Sequence, residues 1–147
     1  VELQGKKGMP VKAFVRWLPA VVWMGVIFYL SSRTGESLNS LLPLFHLLFP
    51  QMQSFNWGHF FAYFFLSCTY YWGFLPRASG WKIKVLVVLL CGLYGISDEY
   101  HQSFVPGRTP DGMDIRNDMI GAALAMLFVS IPAVRKRLEK SPITNKY

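Results

Sequence analysis

The sequence predicts an all-α, polytopic integral membrane protein with four transmembrane helices and a short interfacial or re-entrant segment, and three observations carry that reading. Of its 147 residues, 52% are hydrophobic and 16% aromatic against only 16% charged, a balance unlike that of a soluble domain of this length. The apolar residues gather in runs near the ~20 residues that a helix needs to cross a bilayer. The basic residues collect at alternate ends of those runs, as topology signals do.

Taken in order, residues 1–8 (VELQGKKG) differ in character from the rest of the chain, and Met9-Pro10 makes a natural start, so these eight read as an added leader outside the functional chain. The first span covers about 14–32, with Lys12 and Arg16 before it, Trp17 at the interface and Pro19 tolerated in the first turns. A secretory signal is the rival reading, but no small-residue cleavage site comes after it and three more spans do. Leu38 to Pro50 is apolar, short and broken by Pro43 and Pro50, which suits a segment lying on the membrane or dipping into it. The second span covers about 57–75. A turn around Pro76 and Gly80 leads to the third, about 83–102, whose apolar run stops near Ser97 and must borrow length from a polar stretch. The fourth covers about 115–134. Thus 9–134 forms a single transmembrane domain, and 135–147 is a basic tail. Cys68 and Cys91 lie within apolar runs, without metal-type spacing, and read as small buried hydrophobes.

With four crossings both termini share a side. Lys6, Lys7, Lys12, Arg16, Arg77, Lys82, Lys84, Arg135, Lys136, Arg137, Lys140 and Lys146 fall there, against Arg33, Arg108 and Arg116 on the other. The positive-inside rule makes that side cytoplasmic, in a cell membrane. The same placement beside apolar runs argues against nucleic acid as the reason for the net charge of +7. Helix rise then serves as a ruler, ~1.5 Å per residue across a ~30 Å core. Counting from the basic residues places Ser31, Ser32 and Arg33 of the first span at the outer boundary. The same count puts His59 of the second, Asp98, Glu99 and Gln102 of the third, and Asn117 and Asp118 of the fourth at that depth. The prediction is a polar pocket opening to the extracellular face, within reach of lipid head groups.

Gly95 to Asn117 carries most of the candidate chemistry, since ionisable groups this dense beside apolar spans point to function. If the third helix continues to Gln102, Asp98 and Gln102 are i, i+4 neighbours and Glu99 points to the next face. Asp114, Asn117 and Gly121 share a stripe of the fourth, and Gly121 with Ala125 suits close packing within or between chains. Arg108 comes directly after a tight Pro106-Gly107 turn and presents a guanidinium suited to carboxylate or phosphate. An ion pair from Arg108 to Asp111 or Asp114 is an equal alternative. His59, with Tyr63 one turn on, reads either as a base, a ligand or a phosphate contact, or as an aromatic-belt histidine. His101 and His46 carry less weight. Arg33 reads equally as a phosphate contact or a snorkelling helix-end residue. Asp98, Glu99, Asp114 and Asn117 offer oxygen ligands of the kind Mg²⁺ or Ca²⁺ takes, but no ligand spacing is recognisable, so no metal and no cofactor is assigned.

The string Asp98, Glu99, Gln102, Phe104, Pro106, Gly107, Arg108, with Asp114, Asn117 and Gly121 beyond it, resembles the VanZ-like membrane proteins. Ser31-Ser32 after the first span and His59 with Tyr63 fit the same pattern, and the likeness runs from Met9 to about Ile131. One departure is the Asp-Lys pair that the family often has before its histidine, where this chain has Phe55 and Asn56. That departure weakens any charge relay through His59. The resemblance implies a bacterial integral membrane protein of a family linked to resistance to the lipoglycopeptide teicoplanin; it names no reaction.

Two functions are expected on this basis. In the first the pocket binds an envelope lipid head group or a lipoglycopeptide and lowers susceptibility to teicoplanin-type antibiotics. Arg108, Gln102, Asn117, Tyr63, Ser32 and Arg33 are then the binding residues. In the second the protein is a hydrolase or transferase acting on a lipid-linked, phosphate-bearing envelope precursor, with Glu99, Asp98, His59 and Asp114 as its catalytic groups. No nucleophile motif is present. A third reading, the carboxylates as helix glue, conflicts with how little stability buried ion pairs add.

Overall fold

The computed structural model describes residues 14–34, 56–75 and 80–139, together with Pro43 and Leu47. The leader expected at 1–8, the segment at 38–50 apart from those two positions, His46, Phe55, the turn expected at 76–79 and the residues from 140 lie outside the described residues. All regular structure among the described residues is helical: α1 (Leu18–Ser31), α2 (Asn56–Phe74), α3 (Trp81–Gln102), α4 (Gly112–Phe128) and α5 (Pro132–Glu139).

Two helices end where proline dictates. Pro19 sits in the first turn of α1, where its missing N–H is no loss. The continuous helix begins at Leu18, and a short helical stretch at 14–15 precedes it. Likewise α4 stops at Phe128, and the next helix restarts at Pro132 bent by 84°. The fourth span expected to run to 134 is thus broken, because a proline inside a helix removes one backbone donor and clashes with the preceding turn. Residues expected to begin a basic tail instead form α5.

Among the described residues no single helix is long and apolar enough to cross a membrane, although α4 and the bent segment after it pass that test together. The reasons are local. Helix α1 has only 14 residues. Helix α3 has 22 but carries Lys82 and Lys84 at one end and Asp98 and Glu99 at the other.

The core centres on α2. Tyr63, Leu66, Tyr70 and Tyr71 are buried against Val87 and Cys91 of α3 and Ala122, Ala125 and Met126 of α4. Helices α2 and α4 approach at backbone distance, since a Cβ on Gly121 would run into the carbonyl and Cα of Phe60. Nearby, Ser67 donates to the Ala122 carbonyl at 3.2 Å, using a polar side chain to bridge two helices. Helix α1 is tied on by Trp23 Nε1, which donates to the Ala62 carbonyl at 2.8 Å, and by Tyr94 Oη, which donates to the Met24 carbonyl at 2.7 Å. Cys91 is buried and Cys68 half-buried, both as free thiols.

The outer faces are apolar. Val21, Val22 and Phe28 of α1, Leu89, Leu93 and Ile96 of α3, and Ile120, Leu124 and Leu127 of α4 all stand exposed. Exposed apolar side chains thus recur along three of the helices.

Charge separates the two ends of the bundle. At one end Arg16 donates to the Leu75 carbonyl, and Lys84 Nζ donates to Ser130 Oγ at 2.5 Å. The acidic residues of α3 and α4 meet at the other.

Candidate functional site

Four helix ends meet here. The last residue of α1, Ser31, donates through Oγ to Asp98 Oδ2 at 2.8 Å. Gln102 Nε2 spans two acids of α3, reaching Asp98 Oδ2 at 3.0 Å and Glu99 Oε1 at 3.3 Å. Asp98 and Gln102 meet as i, i+4 neighbours should. Glu99, however, does not turn to a separate face: it shares the amide of Gln102, and its other oxygen accepts from the backbone N–H of Asp111 at 2.8 Å.

That last bond closes the α3–α4 loop onto the end of α3. Pro106 and Gly107 make the turn within it, with Gly107 at φ 76° and Arg108 N donating to the Val105 carbonyl at 3.1 Å. A type II turn requires this combination, because only glycine takes positive φ at its third position without steric cost. Asp111 then starts α4 by accepting from Met113 N at 2.8 Å, an N-cap that satisfies one orphan donor of the first turn.

At the centre stands His59 of α2. Its Nδ1 lies 2.9 Å from Asp118 Oδ1, and Asp118 is wholly buried. Its Nε2 faces Asp114 Oδ2 at 3.7 Å. A buried carboxylate on Nδ1 favours the proton on that nitrogen, so that in the neutral ring the lone pair of Nε2 is turned into the site. Ligand atoms of His59, Glu99 and Asp114 lie within 4.8 Å of one another. Among the described residues the contacts of a ring nitrogen with a carboxylate in this cluster are both made by His59. Beneath it lies Tyr63, fully buried, its ring parallel to that of His59 with centroids 6.4 Å apart.

The structure therefore brings together Ser31, His59, Tyr63, Asp98, Glu99, Gln102, Asp114 and Asp118. It does not bring in two residues expected to bind ligand. Ser32 is exposed and its Oγ donates back to the Phe28 carbonyl at 2.7 Å, a local helix-end bond. Arg33 is also exposed, donates to Tyr29 Oη and lies over the Tyr29 ring at 4.4 Å. The residue one position earlier, Ser31, occupies the site instead. Asn117 is buried and accepts from Arg116 Nη2 at 3.3 Å. Arg108 is half-buried. Among the described residues no ion pair joins it to Asp111 or Asp114, and its Nε lacks a hydrogen-bond partner. His101 stacks on Phe28 at 4.2 Å, a packing role on α1.

Asp118 is the functional candidate that sequence reasoning places at the right depth but assigns no role. Its i, i+4 relation to Asp114 is the available signal, for the two share a face of α4. Its partner surface is also legible in part: a Cβ on Gly95 of α3 would stand 2.5 Å from Asp118 Oδ2, so only glycine leaves that carboxylate its place. The carboxylate beside His59 thus comes from α4, 59 positions away in sequence, not from the residues that precede the histidine.

A small helical bundle with a histidine and four carboxylates at one end, apolar outer faces and cations at the other end defines the class. A model of the VanZ/LLP1 family matches residues 16–133, and the chain belongs to that family. It is also similar to the protein named "Uncharacterized protein C11E3.10" of Schizosaccharomyces pombe, at 39% identity over 83 residues. That match takes in 56% of this chain and 49% of the yeast protein, so the chain spans about half the length of the curated relative it matches. No solved structure gives a significant match.

Proposed function

We propose that this protein is a multi-pass membrane protein, with both termini cytoplasmic, whose acidic end opens to the outer face, binds the head group of a phosphate-bearing envelope lipid and acts on it as a hydrolase or transferase. The observation that carries the reading is the His59–Asp118 pair. Burying a carboxylate to orient one imidazole costs free energy, and a mere packing role gives no return for it. Exposed apolar faces around the bundle support a lipid setting. Arg108, held on its turn with Nε unpartnered, supports an anionic group at the rim. Glu99, Asp114 and the free Nε2 of His59 surround the position where a reacting oxygen would lie.

The alternative is a pocket that binds without turnover and alters susceptibility to teicoplanin-type antibiotics. With Ser32 and Arg33 turned away from the cluster, the proposed head-group cradle has lost two of its six expected members. A similar protein in a yeast argues, in addition, against a ligand confined to bacterial envelopes.

Glu99→Gln separates the two. Purified protein in micelles is offered phosphatidic acid, phosphatidylglycerol and a polyprenyl diphosphate, with binding followed by thermal shift and products by mass spectrometry. Wild type is expected to consume one of them, and Glu99→Gln to keep its binding while turnover falls about 10²-fold or more. Binding without turnover by wild type would leave only the pocket reading, and no binding to any of the three would overturn both.

A further inference from the structure

The site gathers more negative charge than its one imidazole can balance. Asp98, Glu99, Asp114 and Asp118 converge on His59, and three of them are buried, at 3%, 5% and 0% exposure. Buried carboxylates of this number beside one imidazole are resolved by protons or by a cation. Two details favour the cation. Asp98 Oδ1 and Asp118 Oδ2 are buried oxygens without a hydrogen-bond partner, and the same is true of the hydroxyl of Tyr63 in the layer below. Buried carboxylate oxygens without a donor are costly unless a positive charge lies close by, and a cation held by the neighbouring His59, Glu99 and Asp114 would supply one.

The second detail is the separation of the ligand atoms. His59 Nε2 and Asp114 Oδ2 are 3.7 Å apart, too far for a hydrogen bond. Two ligands of a tetrahedral ion, each bound at about 2.0–2.2 Å, stand about 3.4 Å from one another. The His59, Glu99 and Asp114 atoms, all within 4.8 Å, therefore need only a small closure to share one ion. Asp118 on Nδ1 completes the arrangement in which a carboxylate orients a ligating histidine and raises its basicity.

We infer that His59 Nε2, Glu99 and Asp114 bind one divalent cation, with Asp118 as the positioning residue of the histidine. One nitrogen with two carboxylates favours Zn²⁺ or Mn²⁺ over Mg²⁺ and Ca²⁺, which select all-oxygen sites. The ion would also reconcile an acidic pocket with a phosphate-bearing ligand, a point that rests on the function proposed above; the site itself does not.

The test uses the full chain in detergent, stripped with chelator and dialysed against Zn²⁺ or Mn²⁺ alone, with bound metal counted by elemental analysis and affinity measured by calorimetry. No lipid is present, so failure of the lipid reading leaves the outcome untouched. One ion per chain is expected. Asp114→Asn and Glu99→Gln should each weaken it at least 10-fold, and Asp118→Asn by about 10–100-fold. Asp114 is only half-buried, so its variant keeps the test open if Glu99→Gln or Asp118→Asn fails to fold. Less than one-tenth of an ion per chain, or an ion whose affinity is the same in Asp114→Asn and Glu99→Gln as in wild type, would overturn the inference.

Discussion

Gly121→Leu is expected to prevent the bundle from assembling, and Gly121→Ala to destabilise it by more than any other alanine change on α4. The space beside Gly121 is filled by backbone: the carbonyl, Cα and carbonyl carbon of Phe60. A side chain meeting another side chain is relieved by a rotamer change, at ~1–3 kcal/mol. Backbone cannot rotate away, so α2 and α4 must separate. Their separation would strip Ser67 from the Ala122 carbonyl and pull His59 from Asp118. Gly25 is the internal control. Nothing lies within 4 Å of a Cβ placed there, so Gly25→Ala should leave stability unchanged or raise it by ~0.5–1 kcal/mol through the lower entropy of the unfolded chain. Thermal unfolding in detergent, with helicity by circular dichroism, checks both. Equal unfolding temperatures for Gly121→Ala and Gly25→Ala would contradict the close approach.

Asp118→Asn is the second large effect, this time on chemistry. An amide can turn its NH₂ toward Nδ1 of His59, which moves the ring proton to Nε2 and removes the lone pair from the site. Turnover of the proposed lipid substrate should fall by about 10²–10⁴-fold while the helices stay assembled. Gly95→Ala should act in the same direction without altering any charge, because its Cβ would crowd Asp118 Oδ2 and push the carboxylate off the imidazole. A Gly95→Ala protein with wild-type turnover would mean that the His59–Asp118 contact does not set the activity.

How much of this is legible in the sequence depends on what kind of physics each feature obeys. Depth comes from counting, since helix rise is fixed, and Ser31, His59, Asp98, Glu99 and Gln102 do share one end of the bundle. Rotation about each helix axis does not come from counting. Ser31 and Ser32 differ by about 100° around α1, and only packing of Trp23 and Met24 against α2 and α3 decides which of them faces Asp98. The same ambiguity hides Asp118: the stripe through Asp114, Asn117 and Gly121 and the stripe through Asp114, Asp118 and Gly121 are both helical, and the steric gap over Gly95 chooses between them. Helix ends at Pro19 and Pro132 are visible as residues, yet hydrophobic length outweighs them in a reading by spans. Local backbone chemistry prevails at both.

The proposed topology puts the acidic end, with the α3–α4 loop above it, on the outside of the cell and the basic end on the inside. Thr109→Cys places a thiol on that loop at an exposed position, and Lys136→Cys places one on α5, also exposed. The native thiols, Cys91 buried and Cys68 half-buried within the bundle, give the background. Intact cells are treated with a membrane-impermeant maleimide and the protein is then recovered and scored for label. The predicted result is labelling of Thr109→Cys before lysis and of Lys136→Cys only after it; the reverse order would contradict the account.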